Sequence, residues 1–325
     1  MIYQNCPIYI WSAPPENLRG GPEVLYLLCD RLRKNGRDAK MFSFTDYGIN
    51  PVFSKVYDVK MCSIKEVNNV THSAIIVPEI LIQDDTFNDK IFDFAKRNTL
   101  VIWYLSSEFT GVLNTTWGQI FEKIRFNNYQ NNIYHCCESR FIFNLLGTYG
   151  INENKFMLQH GVNDDIIKTP KTQKKEDLVF YNGYKVETRK FVENVIMPKL
   201  PNVGFLGLLP ENGYKAKTEI CEMLDKCKVY IDVCGFGGRE LMPREAALRD
   251  CILLLEDYRC ASVYEDYPIS NSYKLSLPLD SDEIAKKINH NISYYEENIK
   301  DMAIMKNKCL MENNNFENQL RILFG

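Results

Sequence analysis

The chain has 325 residues, 45% of them hydrophobic and 25% charged, and a formal net charge of −3. That length suits two domains of roughly 150 residues, and the composition is that of a folded rather than a disordered chain. The charge provides no strongly basic face, which argues against nucleic acid as a partner.

The eleven cysteines are scattered, and neither Cys136-Cys137 nor the pair Cys221 and Cys227 has the spacing of a zinc site, so they read as reduced, mostly buried thiols. Residues Met1 to Trp11 lack a signal-peptide pattern, and no apolar run reaches the ~18 residues of a membrane span. The expected location is the cytoplasm.

Ile8 to Trp11 is an apolar run stopped by Ser12, Ala13, Pro14 and Pro15, the pattern of a buried strand. A glycine loop at Gly20 and Gly21 follows. Pro22, Glu23 and the closing Gly36 then bracket a predicted helix over Pro22 to Asn35. Free N–H groups at such a strand, loop and helix junction suit an anion or a sugar, and a plain tight turn fits the same residues.

Further short strands are predicted at Ala39 to Phe44, Ala74 to Val77, Leu100 to Leu105, Asn132 to Cys136 and Lys155 to Gln159. Glu108 follows one of them and His160 another, which makes each either a catalytic candidate or a structural side chain. The polar stretch Thr169 to Asp177 reads as a linker.

Beyond the linker the alternation resumes, with strands near Leu178 to Tyr181, Val203 to Leu206, Val229 to Val233, Cys251 to Leu255 and Tyr273 to Leu275. Helices are predicted over Glu187 to Met197, Lys215 to Lys226 and Pro243 to Arg249. Strands alternating with helices imply parallel sheets covered on both faces, with ligands at the carboxyl ends of the strands.

Two segments of this second half carry the chemistry. Gly183 precedes Lys185 and Arg189, cations placed to neutralise a departing diphosphate or simply to solvate a helix start. Three glycines of the run Cys234 to Leu248 precede a predicted helix start at Pro243, whose first turn would carry Glu245. Such a carboxylate can accept both hydroxyls of a ribose, or merely complement the helix dipole.

These motifs resemble, over most of the chain, the large retaining GT-B glycosyltransferase family often called group 1. The likeness rests on Gly20, Gly21, Pro22 and Glu23; on Ser139 to Leu145; on Gly161, Val162 and Asn163; on Gly183 to Arg189; on Leu206 and Gly207; and on Gly237 to Glu245. The opening run Arg19 to Leu25 is also similar to transferases of bacterial surface-polysaccharide gene clusters. Tyr184 stands where the family has arginine, Arg189 where it has lysine, and Gly237 where it has the first glutamate of an E-x7-E block.

The resemblance implies an α/β fold of the GT-B type, with two Rossmann-like parallel-sheet domains facing a cleft. Residues 1–168, joined by a C-terminal helix at 305–325, would form the acceptor side, and residues 177–304 the nucleotide-sugar donor side. Phe316, Leu320 and Leu323 would be the buried face of that last helix.

The resemblance further implies transfer of a sugar from a nucleotide-sugar donor to a glycan or lipid-linked acceptor, with retention of configuration. Glu245 would hold the donor ribose, and Lys185 and Arg189 the diphosphate. The loop amides of Gly238, Arg239, Glu240 and Leu241 would grip the sugar, Met242 would also bind the donor, and no cofactor or metal is implied. The alternatives are an inactive glycan- or partner-binding protein and a sugar-nucleotide epimerase. Peripheral contact with the inner face of a membrane is an option, carried by Lys123 and Arg125 near Trp117 and Phe121.

Overall fold

The computed structural model describes residues 6–16, 20–45, 48–84, 87–107, 118–119, 121–122, 132–171, 174–213, 215–233, 235 and 237–325. The chain divides into two compact units: Met1–His160 with Asn314–Gly325, and Gly161–Asn313.

Unit 1 holds strands β1 (Ile8–Trp11), β2 (Ala39–Phe42), β3 (Ala74–Pro78), β4 (Thr99–Tyr104), β5 (Ile133–Cys137) and β6 (Lys155–Met157). They form one six-stranded sheet in the order β2-β1-β3-β4-β5-β6, and every pairing is parallel. Its helices are α1 (Gly20–Lys34), α2 (Ile64–Asn69), α3 (Glu79–Gln83), α4 (Asn88–Ala95) and α5 (Arg140–Thr148).

Side chains alternate across the pleat, and both faces are covered. Ile8, Ile10, Val101 and Trp103 pack with Leu25, Leu28 and Leu32 of α1 on one face. Tyr9, Ile75, Ile102 and Tyr104 pack with Ile91 and Phe94 of α4 and Ile142 and Leu146 of α5 on the other. The first core also takes in Phe316, Leu320 and Leu323, and the Phe316 ring stacks on Trp103 at 6.2 Å.

Unit 2 contains β7 (Glu176–Asn182), β8 (Gly204–Leu208), β9 (Cys227–Asp232), β10 (Ile252–Glu256) and β11 (Lys274–Leu275). Their order is β11-β10-β9-β7-β8, again all parallel. The helices are α6 (Asp164–Lys168), α7 (Val186–Phe191), α8 (Lys217–Lys226), α9 (Leu241–Leu248), α10 (Ser281–Ser293), α11 (Tyr295–Asn298) and α12 (Ala303–Phe324). Residues of α12 from Asn314 onward belong to unit 1.

Each sheet has one point where the strand order reverses, between β1 and β3 in unit 1 and between β7 and β9 in unit 2. Connections leave in opposite directions there, opening a crevice at the carboxyl ends of the two strands.

Two helix starts differ from those predicted. Gly20 and Gly21 already lie inside α1 rather than in a loop before it. The helix α9 opens at Leu241, ahead of Pro243, so Glu245 falls beyond the first turn. Of the cysteines, the ten described form no disulfide, and all are buried except the half-buried Cys62.

Candidate functional site

The turn after β7 and the end of β9 face each other across the reversal point of unit 2. Lys185 caps the start of α7, and its Nζ donates to Asp232 Oδ1 at 3.1 Å and to the carbonyl of Gly235 at 3.0 Å. Asp232, the last residue of β9, is entirely buried and also accepts from the Tyr230 hydroxyl at 2.8 Å. Burial raises its carboxyl to about 6, against the opposing pull of Lys185 and with further upward pressure from Glu240. Sequence patterning missed Asp232, because it ends an apolar run that reads as plain core.

Glu240 is half-buried, with Oε1 3.7 Å from Lys185 Nζ. Its carbonyl accepts from Arg244 Nε at 3.1 Å and from the Tyr267 hydroxyl at 3.2 Å. Of the predicted donor-binding run, Gly238, Arg239 and Met242 are buried and Leu241 is half-buried. Arg239 and Arg244 both donate to the carboxylate of Glu312. The Arg239 side chain thus ties the run to Glu312.

Glu245 is fully buried. Its Oε1 accepts from Lys217 Nζ, at the start of α8, at 2.8 Å, while Oε2 is buried without a partner. A carboxylate oxygen left this way is costly unless something else satisfies it, and such exceptions mark functional positions.

Arg189 is placed differently from Lys185. Its guanidinium takes Glu211 in a two-pronged pair at 2.9 and 2.6 Å and Glu193 at 3.0 Å. The hydrogen bond to Glu211, against slight desolvation, raises Arg189. Gly183 has a packing cause: a Cβ there would sit 2.5 Å from Leu209 Cδ2 and 3.0 Å from the Leu208 carbonyl.

In unit 1, Gly20 and Gly21 are exposed at the start of α1, and a Cβ on Gly21 would meet open space. His160 is buried: its backbone N–H donates to Glu138 Oε2 at 2.9 Å and its ring Nε2 lies 3.4 Å from Oε1. Ser139 and Asn163, both within the family-like segments, cap α5 and α6 through their side-chain oxygens.

Glu79, at the carboxyl end of β3, was not singled out by the sequence. Its carboxylate accepts from the N–H groups of Leu105 and Ser106 at 2.9 and 3.0 Å, and burial raises it to about 7. Glu108 itself lies outside the described residues, as do Lys123, Arg125 and Trp117. Phe121 is core, packed against Tyr149 and His135, so it offers nothing to a membrane. Among the described residues no helix is long and apolar enough to cross one.

The sequence matches no protein-family model and no curated protein. Solved structures do match. The pneumococcal O-GlcNAc transferase GtfA, in complex with UDP and GlcNAc, superposes with a TM-score of 0.67 at 10% identity, over 98% of each chain. TarM of S. aureus gives 0.58 at 14% identity, over 78% of this chain and 55% of that one. The phage T4 protein BGT, in complex with its UDP-glucose substrate, gives 0.55 at 12% identity, over 98% and 99%. With two parallel α/β units matched from end to end by such structures, the chain has the GT-B fold.

Proposed function

We propose that the chain is a glycosyltransferase that binds a nucleotide-sugar donor on unit 2 and passes the sugar to a hydroxyl acceptor. The observation that carries the reading is Lys185 fixed against Asp232 at the reversal point of the unit 2 sheet, where ligands of open α/β sheets bind. The structural neighbours named above, solved with UDP or UDP-glucose, support the same class of donor.

In this reading the bond between the anomeric carbon and the β-phosphate oxygen breaks, and the acceptor oxygen bonds to that carbon. The hydroxyl proton passes to the leaving phosphate. Lys185 stabilises the charge that grows on the diphosphate, the kind of electrostatic term that dominates such reactions. Glu245 accepts a donor hydroxyl through the unpartnered Oε2. Retention of configuration and a glycan or lipid-linked acceptor come from the sequence resemblance to the retaining group.

A thermal-shift screen with UDP, GDP and ADP and their glucose and N-acetylhexosamine conjugates, with and without Mn2+, tests the reading, because a ligand that binds the folded state raises its apparent stability. Donor hydrolysis follows for each compound that binds. Absence of both a shift and nucleotide release across the panel would sink it. Binding without release would favour a glycan- or partner-binding protein, and conversion of the sugar without release an epimerase.

A further inference from the structure

We infer that Asp232 is a positioning residue for Lys185: from the end of β9 it reaches across the reversal point and holds the ammonium where a departing diphosphate would gain charge. The inference rests on the donor site proposed above.

The lysine side chain has four torsions and loses much rotamer freedom when fixed. A lysine that must meet charge only as it develops is more effective if it is already held. Asp232 does this from a side chain with no solvent exposure, through contacts of 3.1 and 3.3 Å to its two oxygens.

Two further contacts make the hold directional. The Tyr230 hydroxyl donates to Oδ2 at 2.8 Å, fixing the carboxylate plane. The second acceptor of Lys185, the carbonyl of Gly235, belongs to a residue in the left-handed region at φ 123°, whose own N–H is tied to Glu256 Oε2 at 2.9 Å. A glycine tolerates that backbone without strain. Asp232 and Glu256 thus fix the lysine from the ends of two adjacent strands.

The charged and titratable groups facing Asp232 are Lys185 from the turn after β7, Tyr230 from β9 itself and Glu240 from the run before α9. Tyr267 reaches the same corner through the Glu240 carbonyl. Protonation of Asp232 near pH 6 removes the ionic half of the hold, so turnover falls on the acid side.

The experiment uses the full chain and Asp232→Asn, Tyr230→Phe, Lys185→Ala and the double variant Asp232→Asn/Lys185→Ala. UDP release from UDP-glucose and UDP-N-acetylglucosamine is followed from about pH 5 to about pH 9. Acetylation of Lys185 at fixed pH is read by mass spectrometry.

The inference expects Asp232→Asn to lower kcat roughly tenfold, the worth of one charge-assisted bond, and to abolish the acid limb. Tyr230→Phe moves that limb to higher pH, because a hydrogen bond donated to the ionised form is lost. The double variant is no slower than Lys185→Ala, since Asp232 acts through the lysine. Lys185 is acetylated faster once Asp232 is neutral.

A wild-type kcat and acid limb in Asp232→Asn would overturn the inference, and so would fully multiplicative effects in the double variant. If Asp232→Asn does not fold, an unmoved limb in Tyr230→Phe overturns it. If the wild type neither binds UDP nor releases it, the donor reading has failed, and unchanged Lys185 acetylation in Asp232→Asn separately overturns the pairing.

Discussion

Lys217 Nζ stands 2.8 Å from Glu245 Oε1, while Glu245 Oε2 has no partner and no solvent. A glutamate merely complementing a helix dipole would sit in the first turn and contribute about 0.3 to 1 kcal/mol. Glu245 lies past that turn, so the dipole does not account for it. Glu245→Gln and Lys217→Met should each lower stability by about 1 to 3 kcal/mol, since each leaves a buried polar partner unsatisfied. They should diverge in binding: UDP affinity should drop about tenfold or more in Glu245→Gln and much less in Lys217→Met. Denaturant titration and calorimetry with UDP check both, and a UDP affinity equal to wild type in Glu245→Gln would remove the ribose role.

The two cations near β7 should behave unequally. Lys185 is one-fifth exposed and held by a buried carboxylate, whereas Arg189 is shared by Glu211 and Glu193 at the surface. Lys185 too has a second carboxylate, Glu240, 3.7 Å away, so the difference is one of position: Lys185 stands at the start of α7 by the reversal point, where ligands of open sheets bind, and Arg189 lies further along the helix. Lys185→Ala should therefore reduce kcat at least about tenfold, and Arg189→Ala by less than about threefold. Glu211→Gln, which frees one side of Arg189, should tighten UDP binding if the arginine can reach the donor at all. Steady-state rates and UDP affinities decide between them. A larger loss in Arg189→Ala than in Lys185→Ala would reverse the assignment.

Unit 1 contains two buried groups whose titrations oppose each other. Burial lowers His135, hydrogen-bonded to the Tyr104 hydroxyl at 2.8 Å, to about 3, so below its unfolded value of about 6.5 the unfolded chain binds the extra proton and stability is lost as pH falls. Burial raises Glu79 to about 7, so above its unfolded value of about 4.3 the folded chain keeps the proton and stability is lost as pH rises. Between about pH 5 and 6 the two slopes largely cancel, each approaching about 1.4 kcal/mol per pH unit. Glu79→Gln should unmask a stability that climbs with pH, and His135→Gln one that declines. Urea denaturation at intervals across this window would show it, and slopes matching wild type in both variants would mean that neither group titrates as its burial requires.

The parallel strands were legible because strands buried on both faces read as unbroken apolar runs, as Ala74 to Val77 and Leu100 to Leu105 do. Helix starts were less so. Gly20 and Gly21 look like a loop by composition, yet the first turn of a helix needs no intrahelical donors, and α1 begins at Gly20, with Glu23 in that turn accepting from the Tyr57 hydroxyl. At the site, Lys185 and Glu245 were visible as polar residues after glycine runs. Their partners Asp232 and Lys217 were not, since each pair is joined only by folding: Asp232 ends an apolar strand, and Lys217 belongs to an ordinary charged helix. Gly183, a donor-side candidate by its place in the family-like segment, also lies close to Leu208 and Leu209. Chain pattern has no means of separating those two reasons for a glycine.

Glu312 carries the last prediction. Its carboxylate, 3% exposed, accepts from Arg239 and from Arg244, themselves 2% and 0% exposed. Arg244 also donates to the carbonyls of Arg239 and Glu240, and Glu312 supplies a counter-charge to both guanidinium groups. Nearby, burial and then the charge of Arg239 lower Lys308, against the upward pull of Glu312 and of the buried Asp266. Glu312→Gln should accordingly destabilise unit 2 by about 3 to 5 kcal/mol, the usual result of removing one partner from a buried ion pair. Replacing the group, Arg239→Met, Glu312→Leu and Arg244→Met together, should cost less than Glu312→Gln alone, because Glu312 and the two guanidinium groups it pairs with are then removed together. Since Arg239 and Glu240 precede α9, the triple variant should still bind UDP less tightly than wild type, having lost the tie between that run and Glu312. Denaturant midpoints and UDP calorimetry on the two proteins test the argument together: a triple variant less stable than Glu312→Gln would show that the cluster supplies net stability rather than the placement of the run beside Lys185.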